Sequence, residues 1–130
     1  GRGYLVKSGE KVLVVTTGVT LHIALEAYAQ LKKKGKTISI LHLPTVKPLD
    51  KTRLMTEVKK ASLIITIEEH LLTGGFGSAI LEVVAQTGIL PGKKFKMIGL
   101  PDVFPKGYGS QKDLLDKYRI TSQAIINAID

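Results

Sequence analysis

Short apolar runs rich in β-branched residues recur along the chain, and between them the apolar residues adopt helical spacing. The runs at 11–16 (VLVV at its centre) and 63–67 (LIITI) are apolar at nearly every position, and 37–43 puts Ile38 and Ile40 on one face and Leu41 and Leu43 on the other, so each predicts a strand covered on both faces. Between the first two, Leu21, Ala24, Leu25, Tyr28 and Leu31 form one stripe of a helix over 20–34, with Lys32 to Lys34 crowding its last turn before Gly35. Pro44 and Pro48 bar continuation of the second strand, and Asp50 is placed to cap a helix over 51–60. The pattern then repeats: a loop at 74–77, a strongly apolar helix over 78–87 ended by Gly88, a strand over 95–100, and helices over 110–117 and 122–129. Strands that alternate with helices across short connections run parallel and cross over right-handedly, which predicts a three-layer α/β/α sandwich. The run at 4–6 is too short for a central strand and predicts an edge strand of either direction. Residues 1–130 read as one domain.

Composition narrows the chemistry. The 130 residues are 44% hydrophobic and 23% charged, enough for one core, and contain no cysteine, which excludes disulfides, thiolate zinc sites and a cysteine nucleophile. No apolar stretch has the length of a membrane span, and the N-terminus lacks the plan of a signal peptide, so a cytoplasmic location is expected. The chain begins at Gly1, which predicts a processed chain or a piece of a longer one.

In open parallel sheets ligands bind beyond the carboxyl ends of the strands, which selects the loops 16–18, 43–46, 68–77 and 99–102. The third is the richest. Glu68, Glu69 and His70 leave a strand there, and Gly74, Gly75, Phe76 and Gly77 open a helix. A carboxylate beside an imidazole suits acid–base work, and a glycine-rich helix entry suits a phosphate; the same residues equally suit structural hydrogen bonds and close backbone approach. Neither the dinucleotide fingerprint nor the nucleotide-triphosphate loop is present. Thr16 and Thr17 beside Gly18 can contact a ligand, or Thr20 and its neighbours can cap the following helix. His22 and His42 lack the spacing of a zinc pair. The net charge of +8 concentrates in Lys32 to Lys36, Lys59 with Lys60, and Lys93 to Lys96. The first two clusters fall at predicted helix ends, where cations complement the carbonyls, and the third in a connecting turn. Arginine is confined to Arg2, Arg53 and Arg119 and aromatic residues are few, so no nucleic-acid partner is expected.

The ordered set Thr16-Thr-Gly18, the run 42–50 (HLPTVKPLD), Ile67-Glu-Glu-His70 with the run 74–79 (GGFGSA), and the run 98–104 (IGLPDVF) resembles the C-terminal domain of the transketolase family. The tail, with Gly107 or Gly109, Leu114-Leu115 and Tyr118-Arg-Ile120, is similar to that domain's ending. The resemblance covers nearly the whole chain and implies a five-stranded, mostly parallel sheet with one antiparallel edge strand, assigned to 4–6. It also implies membership of a thiamine-diphosphate enzyme such as transketolase, 1-deoxyxylulose-5-phosphate synthase or a 2-oxoacid dehydrogenase component. In that family thiamine diphosphate and Mg2+ are held in other domains, through a Gly-Asp-Gly motif absent from this sequence. What the resemblance leaves to this domain is no catalytic, cofactor or metal residue, but packing on the pyrimidine- and diphosphate-binding domains and extension of a homodimer interface. Glu69, His70, Gly74, Gly75, Phe76 and Gly77 are the expected interface residues, with Phe76 as an aromatic anchor. A stand-alone module binding a small ligand or nucleotide in the crevice between 16–18 and 68–77 is the alternative.

Overall fold

A computed structural model describes residues 1–44, 46–101 and 110–130. Asp102 to Phe104, Gly107, Gly109 and Thr45, all within the motifs quoted above, lie outside the described residues. The chain forms β1 (Tyr4–Lys7), β2 (Val12–Thr16), α1 (Thr20–Lys32), β3 (Ser39–His42), α2 (Lys51–Val58), β4 (Leu63–Leu71), α3 (Phe76–Gln86), β5 (Lys94–Leu100), α4 (Gln111–Lys117) and α5 (Ser122–Ile129). The strands form one sheet in the order β1-β3-β2-β4-β5, parallel except for β1, which runs antiparallel beside β3.

Alternation along the buried strands produces the three layers. Val14, Ile40, Ile65 and Ile67 point to the face where Ala24, Ala27 and Leu31 of α1 and Ile125 of α5 pack. Their neighbours Leu13, Val15, Leu41 and Ile64 point to the opposite face, against Leu54 and Val58 of α2 and Phe76, Ile80 and Val84 of α3. Burying an unpartnered polar group is costly, which is why residues on both faces of the central strands are predominantly apolar.

Two boundaries differ from the sequence reading. β4 continues four residues beyond Ile67 to Leu71, because β5 follows it outward after a register shift and Leu71 still pairs with Leu100. Helix α3 begins at Phe76 rather than Ser78, so half of the expected loop is helix. Elsewhere differences are confined to one or two residues at element ends.

Because the chain goes from β2 to β3 on one side and then back to β4 on the other, the order reverses between β2 and β4. Their carboxyl ends meet the N-termini of α1 and α3, and this is where a ligand crevice belongs in such a fold.

The third helix entry at this end of the sheet is closed by Asp50, whose Oδ1 accepts from the Arg53 N–H at 3.1 Å while its Oδ2 accepts from the Gly3 N–H at 2.8 Å. The carboxylate thus caps α2 and ties down the N-terminal segment. The amide of Gly3, then that of Arg53, hold its pKa below the ordinary value of 3.8. A depressed carboxyl contributes its stability above the unfolded value and loses it as pH falls through the folded one. Asp50→Ala is therefore expected to lower the urea midpoint at neutral pH, with the gap to wild type closing below the ordinary carboxylate range.

Candidate functional site

The end of β4 carries the site. Period-two alternation continues past the apolar core, so Glu68 lies on the face of Ile64 and Thr66, toward α3, while Glu69 lies on the face of Ile65 and Ile67, toward α1. Each carboxylate consequently stands beside the N-terminus of a different helix.

Glu68 is fully buried. Its Oε2 accepts from the Phe76 N–H at 2.5 Å and its Oε1 from the Gly77 N–H at 3.0 Å, so one carboxylate satisfies two of the free donors that open α3. The cap comes from the preceding strand: the residue at the N-cap position is Gly75, which has no side chain to offer. Glycine is required there, since a Cβ would lie 2.2 Å from the Leu71 carbonyl oxygen and 2.7 Å from Glu68 Oε2. At Gly77 a Cβ would lie 2.5 Å from Thr66 Oγ1 and 3.0 Å from Met97 Sδ. The turn between strand and helix is closed by Ser78 Oγ, which donates to the Leu72 carbonyl at 2.6 Å, and by the Leu72 N–H, which donates to the Leu100 carbonyl at 2.9 Å.

On the opposite face, Glu69 Oε2 accepts from Gln111 Nε2 at the start of α4, and a Cβ on Gly18 would lie 3.7 Å from Glu69 Oε1. The N-cap residue of α1, Val19, makes no side-chain bond, so the nearby Glu69 carboxylate supplies the negative charge this helix end favours. Thr20 acts from inside the first turn: its hydroxyl bonds to the Thr17 carbonyl at 2.6 Å and the Ile67 carbonyl at 3.0 Å, lashing α1 to β4. Thr16 Oγ1 is 2.8 Å from His42 Nδ1 on the adjacent strand, and burial lowers the His42 pKa, which keeps the ring neutral near pH 7. His22 lies exposed on α1, away from both.

The six residues singled out from the sequence divide. Glu69 is half-buried, Gly74 is exposed, and His70 is 55% exposed with its Nδ1 3.5 Å from Glu68 Oε2. Phe76 is 1% exposed, packed in its own chain's core with Leu13, Ile80 and Val84, so its ring is not an outward-facing anchor. Gly75 lies against β4, and Gly77 against β4 and β5, of the same chain. Glu68, named in the loop but not among the expected interface residues, and Thr66, not singled out at all, are what that reading missed. The signal for Glu68 was its parity with Ile64 and Thr66 on the strand face that the next helix must cover.

A diphosphate does not fit here. The α3 donors it would need are held by Glu68, and Glu69 presents like charge at α1. Among the described residues no group of three or more histidines and carboxylates is placed to hold a metal ion. The lysines of 93–96 reach across the fold: Lys93 Nζ donates to the Ala61 carbonyl at 2.5 Å just past α2, and Lys96 Nζ to the Ala128 carbonyl at 2.6 Å in α5. These ammonium groups thus meet helix-end carbonyls by tertiary contact.

The family model for the transketolase C-terminal domain matches residues 1–125. A 1-deoxy-D-xylulose-5-phosphate synthase of Desulfotalea psychrophila is 38% identical over 128 residues, which is 98% of this chain and 20% of that protein. An uncharacterized transketolase family protein of Sinorhizobium fredii is 33% identical over 130 residues, covering 99% of this chain and 37% of that one. Among solved structures, a chain of a split-gene transketolase, described as an inactive β4 tetramer, superposes with a TM-score of 0.84 at 30% identity, over 98% of this chain and 41% of that one. The chain therefore spans between a fifth and two fifths of the length of these relatives.

Removing the carboxylate in Glu68→Ala leaves two buried N–H groups without partners and is expected to cost about 2–4 kcal/mol in urea unfolding. Thr66 Oγ1 is buried with no partner. Thr66→Val is accordingly expected to hold or raise stability, by up to about 1 kcal/mol in the same assay. Phe76→Ala is expected to cost about 3–5 kcal/mol in the chain alone, the loss a core ring incurs and a surface anchor does not.

Proposed function

The chain belongs to the transketolase family, as its C-terminal domain, and from that premise we propose that it forms the C-terminal part of a thiamine-diphosphate-dependent enzyme. The reaction is transfer of a two-carbon unit on sugar phosphates or 2-oxo acids, which sets the protein in cytoplasmic carbohydrate metabolism. The chemistry is carried by the pyrimidine- and diphosphate-binding domains, on the same chain or another, and this domain supplies interdomain and homodimer packing. Thiamine diphosphate and Mg2+, bound in those domains, supply the reactive carbon.

The observation that carries this reading is the self-sufficiency of the glycine-rich turn. Glu68 holds the Phe76 and Gly77 N–H groups, and Gly75 and Gly77 are taken up by close contact with the chain's own strands. A turn of this kind supports a surface rather than a cofactor. What it presents outward is Glu69, His70 and Gly74, with Leu71, 41% exposed, as the apolar centre. Gly75, Phe76 and Gly77 support that rim from below. Polar rims around an exposed apolar side chain are the composition of protein contacts. A stand-alone ligand module is less well supported, because carboxylates stand at both helix entries flanking the crevice.

Two measurements test this. Calorimetric titration of the chain with thiamine diphosphate and Mg2+ is expected to give only heat of dilution, and micromolar binding would overturn the placement of the cofactor elsewhere. In the full enzyme, Leu71→Asp is expected to weaken association of the subunits about tenfold or more in sedimentation experiments, without lowering the melting temperature of the domain.

A further inference from the structure

Helix α1 and the edge strand β1 leave between them an open groove of about 450 Å3, lined by Lys7, Leu25, Tyr28, Ala29, Lys32 and Lys33. Leu25 and Tyr28 are half-buried and packed on the core beneath, so this apolar lining is held rigidly. The charged lining is entirely cationic. Lys7 Nζ stands 5.0 Å and Lys32 Nζ 6.0 Å from the centroid of the same Tyr28 ring. A ring face attracts one ammonium group weakly at an exposed site, and a second cation brought to the same ring is repelled by the first. Among the described residues no carboxylate lines the groove, and the ion pairs join Lys60 to Glu57, His70 to Glu68 and Lys112 to Asp116, leaving Lys7, Lys32 and Lys33 without a counter-charge among them.

We propose that this groove docks an acidic polypeptide segment, with carboxylates on either side of an apolar side chain that seats against Leu25, Tyr28 and Ala29. Charge complementarity selects the partner. Exposed Lys34 and Lys36 extend the positive field beyond the groove and steer an acidic segment toward it. A nucleic acid suits the groove less well, since it offers one aromatic ring and no guanidinium group for stacked bases and phosphates. The groove is also independent of the packing surface at Glu69 and Leu71. Lys7 pairs with Ile40 and Lys32 closes α1, so the cations lie toward the amino ends of the parallel strands, opposite the carboxyl end where Glu68 and Glu69 stand.

The test is titration of the isotope-labelled chain with a terminally blocked peptide, EELEE, followed by amide NMR. Expected are saturable shifts centred on residues 7, 25, 28, 29, 32 and 33, and an affinity about tenfold weaker in the double variant Lys7→Gln/Lys32→Gln. Lys112→Gln is expected to leave the affinity within about twofold, since that lysine is exposed on α4 away from the groove. Unchanged circular dichroism melting of the double variant separates lost binding from lost folding. Equal binding of the uncharged peptide QQLQQ, an unaltered affinity in the double variant, or shifts confined to other surfaces would overturn the proposal. So would tighter binding of oligothymidylate or phosphatidylserine vesicles at the same amides. Because the chain alone is titrated, a negative result here leaves the subunit-association experiment on Leu71 to stand or fall separately.

Discussion

The carboxylate of Glu68, buried at the end of the longest strand and bonded to two backbone N–H groups of the following helix, governs the architecture of the whole carboxyl end of the sheet. A buried carboxylate must be matched by donors, and those that bond it are the first N–H groups of a helix that starts at Phe76. That requirement sets where α3 begins and how closely it approaches β4. It also explains the glycine at 75, since any Cβ would displace the carboxylate or the Leu71 carbonyl. The extension of β4 to Leu71 and the closure of the turn onto Leu72 follow from the same close approach.

Charge is distributed along the molecule in the sense that an α/β sandwich demands. Helix N-termini and strand carboxyl ends share one end of the sheet, where Asp50, Glu68 and Glu69 stand beside α2, α3 and α1. Helix carbonyl ends share the other, where Lys93 reaches the Ala61 carbonyl just past α2 and Lys96 that of Ala128 in α5. Part of the lysine excess is thereby absorbed by the fold. What it leaves over, around Tyr28, is a positive groove rather than a diffuse basic surface.

Most of the architecture was legible in the sequence because it rests on periodicity. Runs such as VLVV and LIITI, short and rich in β-branched residues, fit strands covered on both faces, and Gly35, Pro44 and Gly88 mark where elements stop. The resemblance to the transketolase C-terminal domain added the antiparallel edge strand, which lies where it was assigned. The site was less legible. Glu69 and His70 attract attention as a carboxylate beside an imidazole, yet the residue that organises the turn is Glu68, distinguished only by which face of the strand it occupies. Phe76 differs for a related reason: an aromatic residue in a glycine-rich loop suggests an interface anchor, but the helix starts there and turns the ring into the core.

By itself the sequence determined which segments are strands and helices, that the sheet is sandwiched between helical layers, and which family the motifs belong to. All of these depend on residue order and local spacing. Only the tertiary structure decided that one carboxylate caps a helix that starts eight residues ahead, that Thr66 is left without a partner, that Lys93 and Lys96 serve distant helix ends, and that two lysines converge on one tyrosine. Those outcomes depend on which side chains from separate elements share a point in space, and neighbours along the chain carry no record of that distance.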